Sequence, residues 1–190
     1  MLRIVLAAST AALSLAAAAV IAAGAVPEFA ADPQASRLEF IGVQAGAEFK
    51  GVFHKFTSTV DFAPEALPSS RIEVQIDLNS VDTMDKDRDT TIRGKDMFDV
   101  AGRPMAHYVT KSITTTPAGY SAVGSLTLRG VTKDVSIDFQ FQDAAGGPKL
   151  NGTAKLNRLD FGVGQGDWKS TEWVGNAVKV SFSLVLKAAP

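Results

Sequence analysis

Arg71-Ile72-Glu73-Val74-Gln75-Ile76-Asp77-Leu78-Asn79 is the stretch that decides the fold class. Ile72, Val74, Ile76 and Leu78 fall on one side of an extended chain. Arg71, Glu73, Gln75, Asp77 and Asn79 fall on the other. A period of two predicts a strand with one apolar and one solvated face. Val135, Ile137, Phe139 and Phe141 repeat the pattern, as do Val178, Val180, Phe182, Leu184 and Leu186. Working outward, further strands are expected from Leu38 and Phe40, over Ala47–Phe56, from Val60 and Phe62, and over Met105–Ile113, Tyr120–Leu128 and Leu150–Leu156. Gly42 and Gly46 mark a bend or bulge. Thr116-Pro117-Ala118-Gly119 and Arg129-Gly130 are hairpin connections, so the fold class is all-β and antiparallel.

Two segments break the rhythm. Ser80–Val100 is rich in charge, and Asp85 or Asp89 is placed to cap a short helix covering one end of the sheet. Arg158–Val174 is irregular and carries Trp168 and Trp173, which close a barrel end or touch a membrane interface. One-sided strands build either a sandwich or a closed barrel. Mid-strand Gly51, Gly124 and Gly152 favour the barrel, because sharp curvature needs them. An eight-stranded barrel has room for side chains or for one small ligand. Small inward residues, Ala122, Gly124, Gly152 and Ala154, point to a cavity.

Composition narrows the function. Residues 1–25 carry one charge, Arg3, then an apolar run from Ile4 to Ala23 and a small-residue Ala23-Gly24-Ala25 site. That layout predicts a secretory signal peptide ending at Ala25, with an uncleaved membrane anchor as the alternative. The remaining residues 26–190 make one domain, large enough for a core of its own. Without residues 1–25 the chain has 18 basic and 20 acidic residues, a net charge of −2. This balance argues against nucleic acid and against strong attraction to anionic lipid. There is no cysteine, so stability must come from sheet and packing.

Catalytic and metal motifs are weak. Asp85-x-Asp87-x-Asp89 has the opening spacing of a calcium loop, but Thr90 stands where the turn glycine belongs and Asp96 where a bidentate Glu is expected. His54 and His107 are far apart and read as surface or rim residues. No Ser lies in a G-x-S-x-G turn. Gly162-x-Gly164-x-Gly166 follows no strand–helix unit, and Asn151-Gly152-Thr153 is only a formal glycosylation sequon. No metal, cofactor or catalytic group is expected.

An ordered set of short motifs carries a resemblance. It begins with Ser36-Arg37-Leu38-Glu39-Phe40 and Gly51-Val52-Phe53-His54-Lys55-Phe56. It continues through Ser80-Val81-Asp82-Thr83, Arg88-Asp89 and Lys95-Asp96-Met97-Phe98-Asp99-Val100. Gly124–Val135 and Asn157-Arg158-Leu159-Asp160-Phe161-Gly162 are the two best segments. The chain resembles the YceI-like family, the lipocalin-like periplasmic polyisoprenoid-binding proteins. Tyr108 stands where that family usually has Phe, and Thr91-Ile92 replaces the more usual His-Leu.

The resemblance implies an extended antiparallel eight-stranded lipocalin-like barrel with one or two short helices near Ser80–Val100. It implies a long isoprenoid chain, such as a quinone tail, in the cavity, and no enzymatic activity. Expected ligand contacts are Phe40, Phe49, Phe53, Ile76, Leu78, Phe98 and Tyr108, with Leu126, Leu128, Phe139, Leu156, Phe161, Trp168 and Phe182. Rim candidates for a headgroup are Arg88, Arg93, Asp96 and Arg158. A tail longer than a barrel about 25 Å tall must fold back, protrude, or run through an end-to-end channel. Other partners considered are a transient membrane contact and a second copy in a homodimer. Two alternative functions remain: a module presenting its outer face to a membrane redox protein around a filled barrel, and an enzyme for an apolar substrate.

Overall fold

A computed structural model describes residues 26–189; the signal-peptide expectation lies outside these residues. The first six strands are β1 (Glu28–Ala31), β2 (Arg37–Gln44), β3 (Ala47–Phe53), β4 (Phe56–Asp61), β5 (Arg71–Asp77) and β6 (Val81–Asp82). One α-helix, α1 (Lys86–Arg93), separates them from β7 (Met105–Thr116), β8 (Gly119–Leu128), β9 (Val131–Gln142), β10 (Lys149–Asn157) and β11 (Ala177–Ala188). β1 pairs with both β4 and β11, closing the eight-strand ring β1-β4-β5-β7-β8-β9-β10-β11. β2 continues β1 along the same edge of β11 (Phe182 opposite Leu38, Leu186 opposite Ala31), and β3 continues β4 beyond the break at His54 and Lys55. The wall is therefore an antiparallel eight-stranded barrel, as the strand pattern and the resemblance led one to expect.

Four details differ from the sequence reading. Glu28–Ala31 is a strand, although two prolines flank it; only its pairing with the ends of β4 and β11 reveals that. Ala47–Phe56 is broken in two. The chain leaves β5 at Asp77, and Leu78–Ser80 is a short 3₁₀ turn whose Leu78 stays buried. Gly46 is not a bend: Ala45 and Gly46 (φ 50° and 78°), like Arg129 and Gly130 (φ 53° and 76°), form two-residue hairpin loops. Two successive left-handed residues match the right-handed twist of the strands they join.

The mid-strand glycines also serve differently from expectation. A Cβ on Gly51 would meet the Phe40 ring, one on Gly42 the Phe49 ring, one on Gly124 the Tyr108 ring, and one on Gly152 the Phe182 ring. Each glycine is thus a seat on which a cross-strand aromatic lies flat against the inner wall. The space at Gly124 and Gly152 is already filled, and Ala122 is completely buried. Of the four small residues expected to leave room, Ala154 alone lines the cavity described next.

Candidate functional site

Inward side chains divide the barrel into two levels. At the end formed by β1 and the β7–β8 turn, Phe62 is the hub of an aromatic layer. Its ring centroid lies 4.7 Å from Phe141, 4.9 Å from Tyr120 and 5.6 Å from Phe139. Phe29 adds a fifth ring, 6.1 Å from Phe141. Phe62 and Phe139 are buried, and this layer plugs the barrel. Phe139, expected among the ligand contacts, belongs to the plug: alternation correctly turned it inward, but its ring packs against Phe62 and Tyr120 and is not part of the cavity lining. Among the described residues this layer leaves no end-to-end channel.

Above the plug lies a cavity of about 410 Å³, within the roughly 300–1,000 Å³ usual for small-molecule sites. Ile72, Ile137, Leu150 and Leu184 lie at its deep end. The wall carries Ile76, Leu78, Tyr108, Leu126, Leu128 and Leu156. Opposite stands a second aromatic group: Phe40 is 5.5 Å from Phe53 and 6.1 Å from Phe49, and Phe53 is 6.1 Å from Phe98. Phe161, Trp168 and Phe182 also face the cavity. From Val178 to Leu184 the wall of β11 extends about 20 Å along the strand, or roughly 15 Å along a barrel axis inclined by about 40°.

Sequence reasoning missed several wall residues. Leu38, Val74 and Val180 share the phase of residues it did choose, so period two was signal enough. Ile92 and Met97 had no such signal, because they come from α1 and the turn after it.

Polar groups gather where the cavity opens. Asp85 caps α1, accepting from the amides of Asp87 and Arg88 at 3.1 and 3.0 Å. The Arg88 amide bond and the nearby Arg88 charge hold its carboxyl below the ordinary 3.8. Asp89, the other capping candidate, is buried instead and accepts from the Thr83 amide at 2.8 Å and hydroxyl at 2.7 Å. Arg88 reaches over the opening: its guanidinium lies 4.5 Å from the Phe49 ring centre, and Nε donates to Gln44 Oε1 at 3.0 Å. Gln44 itself had no sequence signal.

Arg158 is the second rim candidate that the structure places at the cavity. It is 5% exposed and donates to four backbone carbonyls: Gly175 at 3.0 Å, Val163 at 2.9 Å, Ser170 at 3.1 Å and Val174 at 2.8 Å. Among the described residues no carboxylate pairs with it, and desolvation lowers its pKa. The guanidinium therefore pins the irregular loop that forms one lip. Arg93 and Asp96 are not at the cavity. Arg93 ties α1 to β6 through the Val81 and Asn79 carbonyls. The Asp96 carbonyl accepts from the Gly164 and Gln165 amides at 2.9 and 2.8 Å. Arg93 ends a two-turn helix and Asp96 lies in the turn after it, too little regular structure for periodicity to orient either, and both were chosen on charge alone.

The chemistry available inside is sparse. Tyr108 is the polar group of the mid-wall; its hydroxyl lies 3.4 Å from the Ala122 carbonyl and 3.5 Å from that of Val135. Burial pushes its pKa well above the ordinary 10.0, so the phenol stays neutral. His54 and His107 sit outside, against Asp82 at 3.1 Å and Glu73 at 2.7 Å. An apolar well with a charged lip is suited to holding an apolar chain; among the described residues no acid–base pair stands on its apolar wall.

Residues 29–186 match the family model for the YceI-like domain. The chain belongs to the YceI-like family. A UPF0312 protein of Yersinia pestis is 32% identical over 121 residues, covering 60% of this chain and 62% of that relative. Among solved structures, BcnA of Burkholderia cenocepacia shares 29% identity with a TM-score of 0.77, covering 82% of this YceI-like chain and all but 2% of its own. The Campylobacter jejuni YCEI protein gives a TM-score of 0.64 at 24% identity, with 76% of this chain and 86% of that one covered. A polyisoprenoid binding domain from Saccharophagus degradans gives 0.65 at 17% identity, with 85% and 98% covered, a likeness of fold.

Proposed function

We propose that this protein is an exported carrier that holds a long-chain isoprenoid lipid, such as a quinone tail, in the periplasm. The reading rests on one observation: an apolar well of about 410 Å³, plugged by aromatics below and open at a polar lip. Burial supplies the affinity. About 15 methylene-sized groups contribute about 12 kcal/mol. After roughly 4 kcal/mol of association cost, about 8 kcal/mol remains, which is micromolar binding. A well about 15 Å deep is shorter than a long prenyl tail, so the tail folds back or its head end protrudes past Arg88 and Arg158. The signal segment over residues 1–25 and the mature domain from Val26 belong to the same proposal, since export delivers the chain to its lipid.

A filled-barrel partner module is disfavoured by the open well, and the wall, lined among the described residues by apolar side chains and one neutral phenol, favours a carrier over an enzyme. The Saccharophagus degradans domain, which binds polyisoprenoid, fits the carrier reading, although its likeness to this chain is one of fold. Native mass spectrometry of protein purified from its own periplasm, followed by solvent extraction, tests the proposal. A co-purifying prenyl lipid, or uptake of added solanesol with one-to-one stoichiometry, is the expected result. Absence of both would end the carrier reading.

A further inference from the structure

The two most exposed large apolar side chains among the described residues are Met84, 84% exposed, and Trp173, 57% exposed. Both stand at the cavity mouth. Met84 directly precedes Asp85, Trp173 directly precedes Val174, and Asp85 and Val174 line the opening. One polar bridge joins the two sides: Gln44 pairs with Val174 in the backbone and accepts from Arg88 Nε at 3.0 Å, while the Trp173 carbonyl accepts from the Ala45 amide at 2.7 Å. Met84 holds a left-handed backbone, φ 59°, which a methionine rarely adopts. The fold thus spends strain on keeping an apolar side chain in water beside an apolar well.

The charge around this rim selects its partner. Asp85, Asp87, Asp167 and Glu172 stand against Lys86, Arg88, Arg158 and Lys169, a net of zero. Such a rim gains nothing from anionic headgroups. Its apolar side chains suit the zone between headgroups and acyl chains, where Trp in particular is enriched. We infer that the mouth docks on a zwitterionic lipid surface, with Trp173 and Met84 entering the headgroup zone so that the well opens onto the bilayer. The inference deepens the carrier proposal and rests on it: a prenyl chain could then pass between membrane and well without crossing water.

The chain has two tryptophans, so Trp168→Phe leaves Trp173 as the sole fluorophore. On vesicles of phosphatidylcholine and phosphatidylethanolamine, its emission is expected to shift to the blue and to be quenched by brominated lipid, with binding unaffected by high salt. Met84→Asp combined with Trp173→Asp is expected to weaken vesicle partition about tenfold or more. Neither residue lines the cavity, so uptake of detergent-dispersed solanesol should be unchanged. Any of three results overturns the inference: no shift or quenching on the neutral vesicles; adsorption only to anionic vesicles, reversed by salt; or a double variant that partitions like the native chain. Solanesol uptake from detergent tests the carrier reading by itself. If it fails in the native chain the carrier reading falls, while the vesicle measurements still decide the docking.

Discussion

Arg158→Met is the most informative single substitution. Methionine keeps an unbranched apolar stem and removes only the guanidinium. Four backbone carbonyls then lose their donor: Val163 is buried, and Gly175, Ser170 and Val174 are partly buried. At about 1 kcal/mol for each bond the gross loss is about 4 kcal/mol, and more if charge-assisted values apply. Removing a buried cation with no carboxylate partner returns part of this, because its desolvation cost disappears. The expected net loss is about 3 kcal/mol, concentrated in the loop that the guanidinium pins. Arg158→Lys should lose less, since an ammonium supplies three donors but not the planar fork. Urea unfolding measures the global part. Amide exchange at Gly164 and Gly175, whose N–H groups bond to Asp96 and Val43, measures the local part. Solanesol uptake should fall with loop protection, because Val163, Val174 and Gly175 form part of the cavity lining. A loss under about 1 kcal/mol with unchanged exchange at those amides would refute the clamp.

Other substitutions probe the cavity and its wall. Ala154→Trp places an indole in the well and should abolish solanesol uptake while the far-ultraviolet β-spectrum persists; retained uptake would mean the ligand sits elsewhere. Gly152→Ala should cost about 1–3 kcal/mol, more than Gly51→Ala, because its Cβ meets the Asp138 carbonyl at 2.5 Å whereas the other meets a movable Phe40 ring. Equal urea midpoints for the two would argue against the ring-seat account. For pH, the Asp82 and Asp85 carboxyls are held below the ordinary 3.8, mainly by the Met84 and Arg88 amides. A depressed folded pKa stabilises above the unfolded value and is lost as pH falls through the folded one. Acidification below about pH 4 should therefore raise amide exchange at Asp87 and Arg88, after correction for intrinsic rates, before the barrel melts. Unchanged protection at pH 3 would contradict this.

The barrel was legible because alternation is a backbone property: residues such as Ile76, Leu126 and Phe182 had to share a face wherever their strands lay. Depth along the barrel was not legible. Phe139 and Phe182 have the same pattern and both stand opposite Gly152, yet the Phe139 ring packs against Phe62 and Tyr120 in the plug while Phe182 lines the well. The lip was least legible. Arg88 and Arg158 arrive there, and Arg93 and Asp96 do not, because helix phase and loop hydrogen bonds decide their direction. The glycines show a different gap: Gly124 and Gly152 suggested empty space, but in a paired sheet the absence of a side chain is an invitation to the ring across the way.

The aromatic plug around Phe62 has a kinetic consequence. A vessel sealed at its base has one route for both filling and emptying. A chain that enters tail first must leave head first, and no second chain can push it out from behind. Withdrawal into water re-exposes carbons one after another at about 0.8 kcal/mol apiece. Residence time should therefore lengthen steeply with the number of carbons inserted, and fast hand-over requires an oily phase waiting at the entrance.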